Sequence, residues 1–259
     1  MYKKRDNKKC SFLRGCTLLG SALALLISIF LSGCSANTSN LMLSNIILSP
    51  NTSVHYINEY QKEADLLFLV NSWNSMDKNY VPRLAYYNED IALDIRAFND
   101  FVELLEDCRA AGCDPYICSA YRSCEKQHEL HEIKVYHLTE SGMDESLARE
   151  TAAREVARPG TSEHQLGLAV DLIDSGYGVL DEAQEDTPTQ QWLMENSWRY
   201  GFILRYPEGK SEITGIIYEP WHYRYVGKDT AEDIYKSGLC FEEWLEERAQ
   251  EHLSIVSDR

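Results

Sequence analysis

The chain has 259 residues, 44% of them hydrophobic, enough for one sizeable core and a small appendage. Its net charge of −16, with no basic patch in the body of the chain, excludes a nucleic-acid backbone as partner. The acidic balance otherwise indicates only a soluble, self-repelling surface.

The N-terminus differs from the rest. Lys3, Lys4, Arg5, Lys8, Lys9 and Arg14 precede TLLGSALALLISIFL (17–31), an apolar run that is short for a membrane span. It closes on LSGC (31–34), which resembles the lipobox of bacterial lipoproteins. The resemblance implies a signal peptide over 1–33 and lipidation of Cys34. The protein would then sit on the outer face of the bacterial cytoplasmic membrane, held by its acyl chains. An uncleaved signal anchor is the rival reading. Residues 34–58 carry no charge and read as a tether, and the globular domain is expected over 59–259.

Next along the chain, EADLLFLVNSW (63–73) suits a buried strand or a short helix. DIALDIRAFNDFVELLEDCRAAG (90–112) places Leu93, Ala97, Phe101, Leu104 and Leu105 at helical spacing and stops at Gly112. PYICSAYRS (115–123) reads as a strand entering a loop, and a helix follows from the N-cap Ser123. Further helices are expected over 144–157 and 187–201, the second with Pro188 near its start and Gly201 past its end. LAVDLI (168–173), FILRY (202–206) and GIIYEPWHYRYVG (215–227) read as strands. Runs of helix and strand without strict alternation favour an α+β fold: a single domain with a mainly antiparallel sheet flanked by helices. Cys108, Cys113, Cys118, Cys124 and Cys240 remain after the signal peptide, and an exported location allows local disulfides. No CxxC pair occurs among them, which argues against a cysteine zinc site.

The chemistry lies in TSEHQLGLAVDL (161–172), where His164 and Asp171 stand seven positions apart. In a strand that spacing puts them on opposite faces; in a helix it separates them by ~10 Å along the axis. They meet only if His164 sits on a loop and the chain turns before the strand bearing Asp171. Gly167 and the preceding RPGTS supply that freedom. EPWHYRYVG (219–227) adds His222, with Glu219 three residues before it, and Pro220 makes this spacing a turn or a bent strand. A catalytic zinc site needs three protein ligands, an open position and a carboxylate base. His164, Asp171 and His222 make the three, and Glu219 is the fourth part. HELH (128–131) has its histidines three apart rather than the four of a zincin helix, and reads as a solvated helix face. Arg205 reads equally as a partner within the site or as a brace for the turn that follows it.

SAYRS with Gln127, PGTSEHQLGLAVDL, GFILRYP and EPWHYRYVG together resemble the VanY-type D-alanyl-D-alanine carboxypeptidases. These are zinc peptidases that share a core with the D-Ala-D-Ala dipeptidases and hedgehog domains. The likeness runs from about Leu66 to Gly227. It implies a hedgehog/D-Ala-D-Ala peptidase-like fold and Zn2+ held by His164, Asp171 and His222. Glu219 would deprotonate the attacking water and later protonate the leaving amine. Arg122 would clamp the scissile carbonyl or the terminal carboxylate, for which a guanidinium fork is suited. Ser162 and Gln127 are implied as substrate hydrogen-bonders, and Tyr206 and Trp221 as walls of the cleft, with a core role for either left open. The expected reaction removes the terminal D-alanine from peptidoglycan stem pentapeptides, by a monomer, with a role in glycopeptide resistance left open. The alternatives are an L,D-carboxypeptidase acting on stem tetrapeptides and a non-catalytic, zinc-containing cell-wall-binding module.

Overall fold

The computed structural model describes residues 66–257 and, before them, the backbone of an antiparallel pair, β1 (Ile46–Leu48) and β2 (Val54–Tyr56). This pair falls within the stretch read as a tether, while the expected signal peptide and Cys34 lie outside the described residues. A hairpin of β3 (Leu84–Tyr86) and β4 (Ala92–Asp94) leads into α1 (Ile95–Ala110). The helix starts later than its apolar periodicity suggests because Asp94 caps it, its carboxylate accepting from the Arg96 amide at 2.9 Å. β5 (Pro115–Ser119) follows, then α2 (Cys124–Glu140) behind the Ser123 cap and α3 (Glu145–Glu155) behind Asp144. β6 (Ala169–Asp174), α4 (Pro188–Asn196) and β7 (Phe202–Leu204) come next. The chain closes with α5 (Ser211–Thr214), β8 (His222–Tyr225), α6 (Lys228–Ser237) and α7 (Phe241–Ser257).

Four strands form one antiparallel sheet in the order β5-β6-β8-β7. Alternation along these strands divides the fold into two faces. Val170 and Leu172 of β6, Phe202 of β7, and Tyr223 and Tyr225 of β8 join Ala97, Phe101, Leu104 and Leu105 of α1 and Leu193 of α4 in the main core. The residues between them turn the other way. Ile203 packs there with Ala231 and Ile234 of α6 and with Phe241, Trp244 and Leu245 of α7. Asp171, His222 and Arg224 share this second face, since Asp171 stands opposite His222 and Arg224 opposite Ile203 in the strand register. The result is the expected α+β domain, with a helix layer on each side of an antiparallel sheet.

Two stretches depart from expectation. Residues 66–73 are neither strand nor helix, although Leu69 and Val70 are buried. The carbonyls of Leu66 and Phe68 accept from the Arg224 guanidinium at 2.8 and 3.0 Å, so a side chain takes the bonds that a neighbouring strand would have offered. Of residues 215–227, only His222–Tyr225 are strand. Pro220 cannot donate to a ladder, and the His222 amide instead closes a turn onto the Glu219 carbonyl at 3.2 Å, with proline in the second position.

Gly167 is where the chain turns between His164 and the β6 strand, at φ 71°. A Cβ there would lie 2.8 Å from the Asp94 amide nitrogen and 3.0 Å from Pro82 Cγ. Gly167→Ala is therefore expected to cost about 1–3 kcal/mol, from the left-handed backbone alone and before the clash is added. A urea midpoint equal to the parent's would refute this.

Candidate active site

His164 lies on a single 3-10 turn, Glu163–Leu166, rather than in a strand or helix. Its Nδ1 is 2.6 Å from the Ala120 carbonyl oxygen. A carbonyl can only accept, so Nδ1 carries the proton and Nε2 is left with its lone pair. That Nε2 is 3.3 Å from Asp171 Oδ2. Across the β6–β8 pair, His222 Nδ1 is 3.0 Å from Asp171 Oδ1 and 3.7 Å from Glu219 Oε2. Among the described residues, His164, Asp171 and His222 form a group whose ligating atoms all lie within 4.8 Å of one another, and all three are buried.

These atoms fit zinc. His164 Nε2 and Asp171 Oδ1 are buried and have no hydrogen-bond partner, a costly state for polar atoms that a cation would relieve. Two nitrogens and a carboxylate oxygen are a zinc donor set. Tetrahedral bonds of ~2.0–2.1 Å place neighbouring ligand atoms about 3.3 Å apart, and each histidine nitrogen lies at 3.3 or 3.0 Å from one of the two Asp171 oxygens.

The electrostatics agree. Burial, reinforced by Arg122, lowers the His164 pKa to about 4, so the imidazole is neutral and ready to ligate. Burial opposes ionisation of Asp171, but the two imidazoles hold its carboxyl well below the usual carboxylate range. For His222, burial is outweighed by Asp171 and Glu163, which raise it to about 9 without a metal. Glu219 is raised to about 8 by burial, with Asp171 adding to the effect and His222 and Arg122 opposing it. A divalent ion beside Glu219 pulls that value back down, as any nearby positive charge does to a carboxylate.

The group opens onto a cleft of about 830 Å³. Arg122, Ser162, Tyr206, Glu219 and Trp221 line it beside the ligands. Arg122 donates to Ser119 Oγ at 3.0 Å and lies 3.5 Å from Asp171 Oδ2, while its Nε has no hydrogen-bond partner. The Tyr206 ring packs 4.7 Å from that of His222, centroid to centroid. Gln127 is not a lining residue: its amide donates to the Ala157 carbonyl at 2.6 Å and ties α2 to the end of α3. His131 of the HELH stretch is likewise buried, with Nδ1 2.7 Å from the Val156 carbonyl, while His128 and Glu129 are exposed. The far wall comes from Leu130, Ile133, Lys134 and His137 of α2 and from Asp181 and Glu182 beyond β6; of these the sequence drew attention only to the HELH stretch with His137, read as a solvated helix face.

Behind the ligands lies a second group that the sequence analysis missed, apart from Arg205. Glu163, Arg205 and Arg224 are completely buried, and one Glu163 oxygen accepts from both guanidinium groups. Two signals pointed there: Glu163 adjoins His164, and Arg224 shares a strand face with His222 two residues before it.

Fold and site together describe an α+β domain with a two-histidine, one-aspartate group fit to hold a metal ion beside a carboxylate. A family model, D-alanyl-D-alanine carboxypeptidase (VanY), matches residues 90–228, and the chain belongs to that family. It is 44% identical over 179 residues to a D-alanyl-D-alanine carboxypeptidase of Enterococcus faecalis, a match covering 69% of this chain and 65% of that relative. Among solved structures it resembles a vancomycin-resistance D,D-pentapeptidase, VanY of a VanB-type cassette, in complex with Zn(II). There the identity is 44% and the TM-score 0.63, over 69% of this chain and 98% of the other. It also resembles the LdcB LD-carboxypeptidase, at 35% identity and a TM-score of 0.61, over 70% and 86% of the two chains.

His164→Ala is expected to leave the folded chain without stoichiometric zinc by elemental analysis; an unchanged zinc content would remove His164 from the ligand set. Because His222 must shed a proton to ligate, zinc affinity should rise with pH up to about 9 and then level off. An affinity that stays flat over that range would contradict this assignment.

Proposed function

We propose that this protein is a zinc-dependent D,D-carboxypeptidase that removes the terminal D-alanine from peptidoglycan stem pentapeptides. The observation that carries the reading is the buried His164–Asp171–His222 group with Glu219 beside it, opening on a cleft that also presents Arg122. The E. faecalis relative and the zinc-containing D,D-pentapeptidase support both the metal and the substrate class. Zinc, when bound, supplies Lewis acidity that acidifies a water and polarises a carbonyl.

The chain's own residues do the rest. Glu219 takes the proton of the attacking water at Oε2 as the water oxygen bonds to the scissile carbonyl carbon. As the carbon–nitrogen bond breaks, the same oxygen gives that proton to the departing amine, and D-alanine leaves. Arg122, whose Nε has no partner within the protein, binds a carboxylate or carbonyl oxygen of the substrate. Ser162 adds a hydroxyl to the cleft, and Tyr206 and Trp221 exclude water from its wall.

An L,D-carboxypeptidase acting on tetrapeptide stems is the second reading, favoured by the likeness to LdcB. It uses the same centre and differs only in the cleft. The lipobox-like LSGC supports a lipid anchor at Cys34 on the outer face of the membrane, where these substrates lie.

Incubating the full chain with pentapeptide and tetrapeptide stems, with and without chelator, tests the reading. Chelator-sensitive release of D-alanine from the pentapeptide is expected. Release from the tetrapeptide alone would transfer the assignment to L,D specificity, and release from neither by zinc-loaded protein would leave a binding module. Glu219→Gln should keep its zinc and lose about 10²–10⁴ in kcat; full activity in that variant would overturn the mechanism. Arg122→Lys should lower kcat/KM by roughly 10- to 100-fold, the worth of one charge-assisted hydrogen bond, with zinc content unchanged.

A further inference from the structure

The buried group behind the ligands is more than a core ion pair. Glu163 Oε1 accepts from Arg205 Nε at 2.8 Å and from Arg224 Nη1 at 2.7 Å. Arg205 directs its two remaining nitrogens at Glu242 of α7, at 2.8 and 2.6 Å, and Asn71 Nδ2 donates to the same carboxylate at 3.1 Å. Arg224 is fixed in turn by the Leu66 and Phe68 carbonyls. Two arginines and two glutamates balance, so the cluster needs no further charge to be stable in the interior.

One acceptor is left over. Glu163 Oε2 has no hydrogen-bond partner, and it lies 3.7 Å from His222 Nε2, which is buried and equally without one. An orphaned acceptor and an orphaned donor facing each other each lose free energy unless they pair. The other His222 nitrogen faces Asp171 and Glu219.

We propose that Glu163 is a positioning residue of the metal site. Its Oε2 accepts the proton on His222 Nε2 and holds the ring in the tautomer that offers Nδ1 to the cation. Arg205, clamped by Glu242, keeps that oxygen aimed. The outer anchors Leu66, Phe68, Asn71 and Glu242 all lie outside residues 90–228, so this chain braces its metal site with segments beyond the family-matched stretch. The inference rests on the metal-site reading above, and its test separates the two.

The test uses the full chain, zinc-loaded, with histidine ring protons observed by nitrogen-15 NMR and zinc affinity measured against a chromophoric chelator. In the parent, the His222 proton is expected on Nε2 and in slow exchange with solvent. In Glu163→Gln the single amide oxygen is held by Arg205 and Arg224 and the NH2 group, a donor, faces His222, so the variant should lose that protection and bind zinc about 10- to 100-fold more weakly. A parent ring protonated on Nδ1 would overturn the proposal even if the variant does not fold. So would a folded Glu163→Gln chain with lower thermal stability but unchanged zinc affinity and an unchanged His222 signal, for that is a structural ion pair only. A parent that takes up no zinc would instead sink the metal-site reading itself.

Discussion

The antiparallel pairing of β6 with β8 is the constraint on which this molecule depends. It sets Asp171 directly opposite His222, so that two of the three ligands are joined by a backbone ladder rather than by loops. The register is enforced from the other face of the sheet, where Val170, Leu172, Tyr223 and Tyr225 are buried in the main core. A slip of one residue in either strand would turn its ligand into that core and bring its apolar side chains out, at the cost of their burial. The packing that stabilises the fold is thus the packing that assembles the site. His164 is added from a turn whose geometry Gly167 permits, and its ring is set by the Ala120 carbonyl at the end of β5.

A sheet face that carries an aspartate, a histidine and an arginine must be buried without leaving charges unpaired. The protein meets this requirement in two ways. Toward the cleft, buried atoms without partners converge on a point where a cation belongs. Away from the cleft, Glu163, Arg205, Arg224 and Glu242 neutralise one another under the aromatic ring of Phe241, which both guanidinium groups approach to 5.4 Å. Removing a single member of such a cluster typically costs about 3–5 kcal/mol, because the charge left behind is buried and uncompensated. The apolar packing of α6 and α7 against Ile203 closes this region off from water.

The cleft is assembled from parts far apart in sequence. α2 supplies one wall, with Lys134 bridged to Glu155 of α3, and the segment after β6 supplies another with Asp181 and Glu182. In the function proposed above, these walls are what a stem peptide would meet beyond the metal centre. Their mixture of apolar side chains with charges of both signs suits a peptide more than a single amino acid.

Much of the site was legible in the sequence because its chemistry is local. His164, Asp171, Glu219 and His222 fall in two short segments, and their spacing, with Gly167 and Pro220, already required a turn before a strand and a turn into a strand. The α+β class, most of the helices and the strands LAVDLI and FILRY also followed from periodicity and capping residues. The segment 66–73 was not legible, since its carbonyls bond to a side chain more than 150 residues away. Glu163 and Glu242 were hidden for the same reason: a charged residue shows no sign of burial until its partners are placed around it. Gln127 and His131 read as substrate-facing or solvated, yet both tie α2 to the end of α3, which depends on how two helices pack. The sequence by itself determined which atoms could bind a cation and which carboxylate stood beside them. Only the tertiary structure decided how those atoms are oriented, because a hydrogen bond to a ligand's far nitrogen joins elements that the chain order keeps apart.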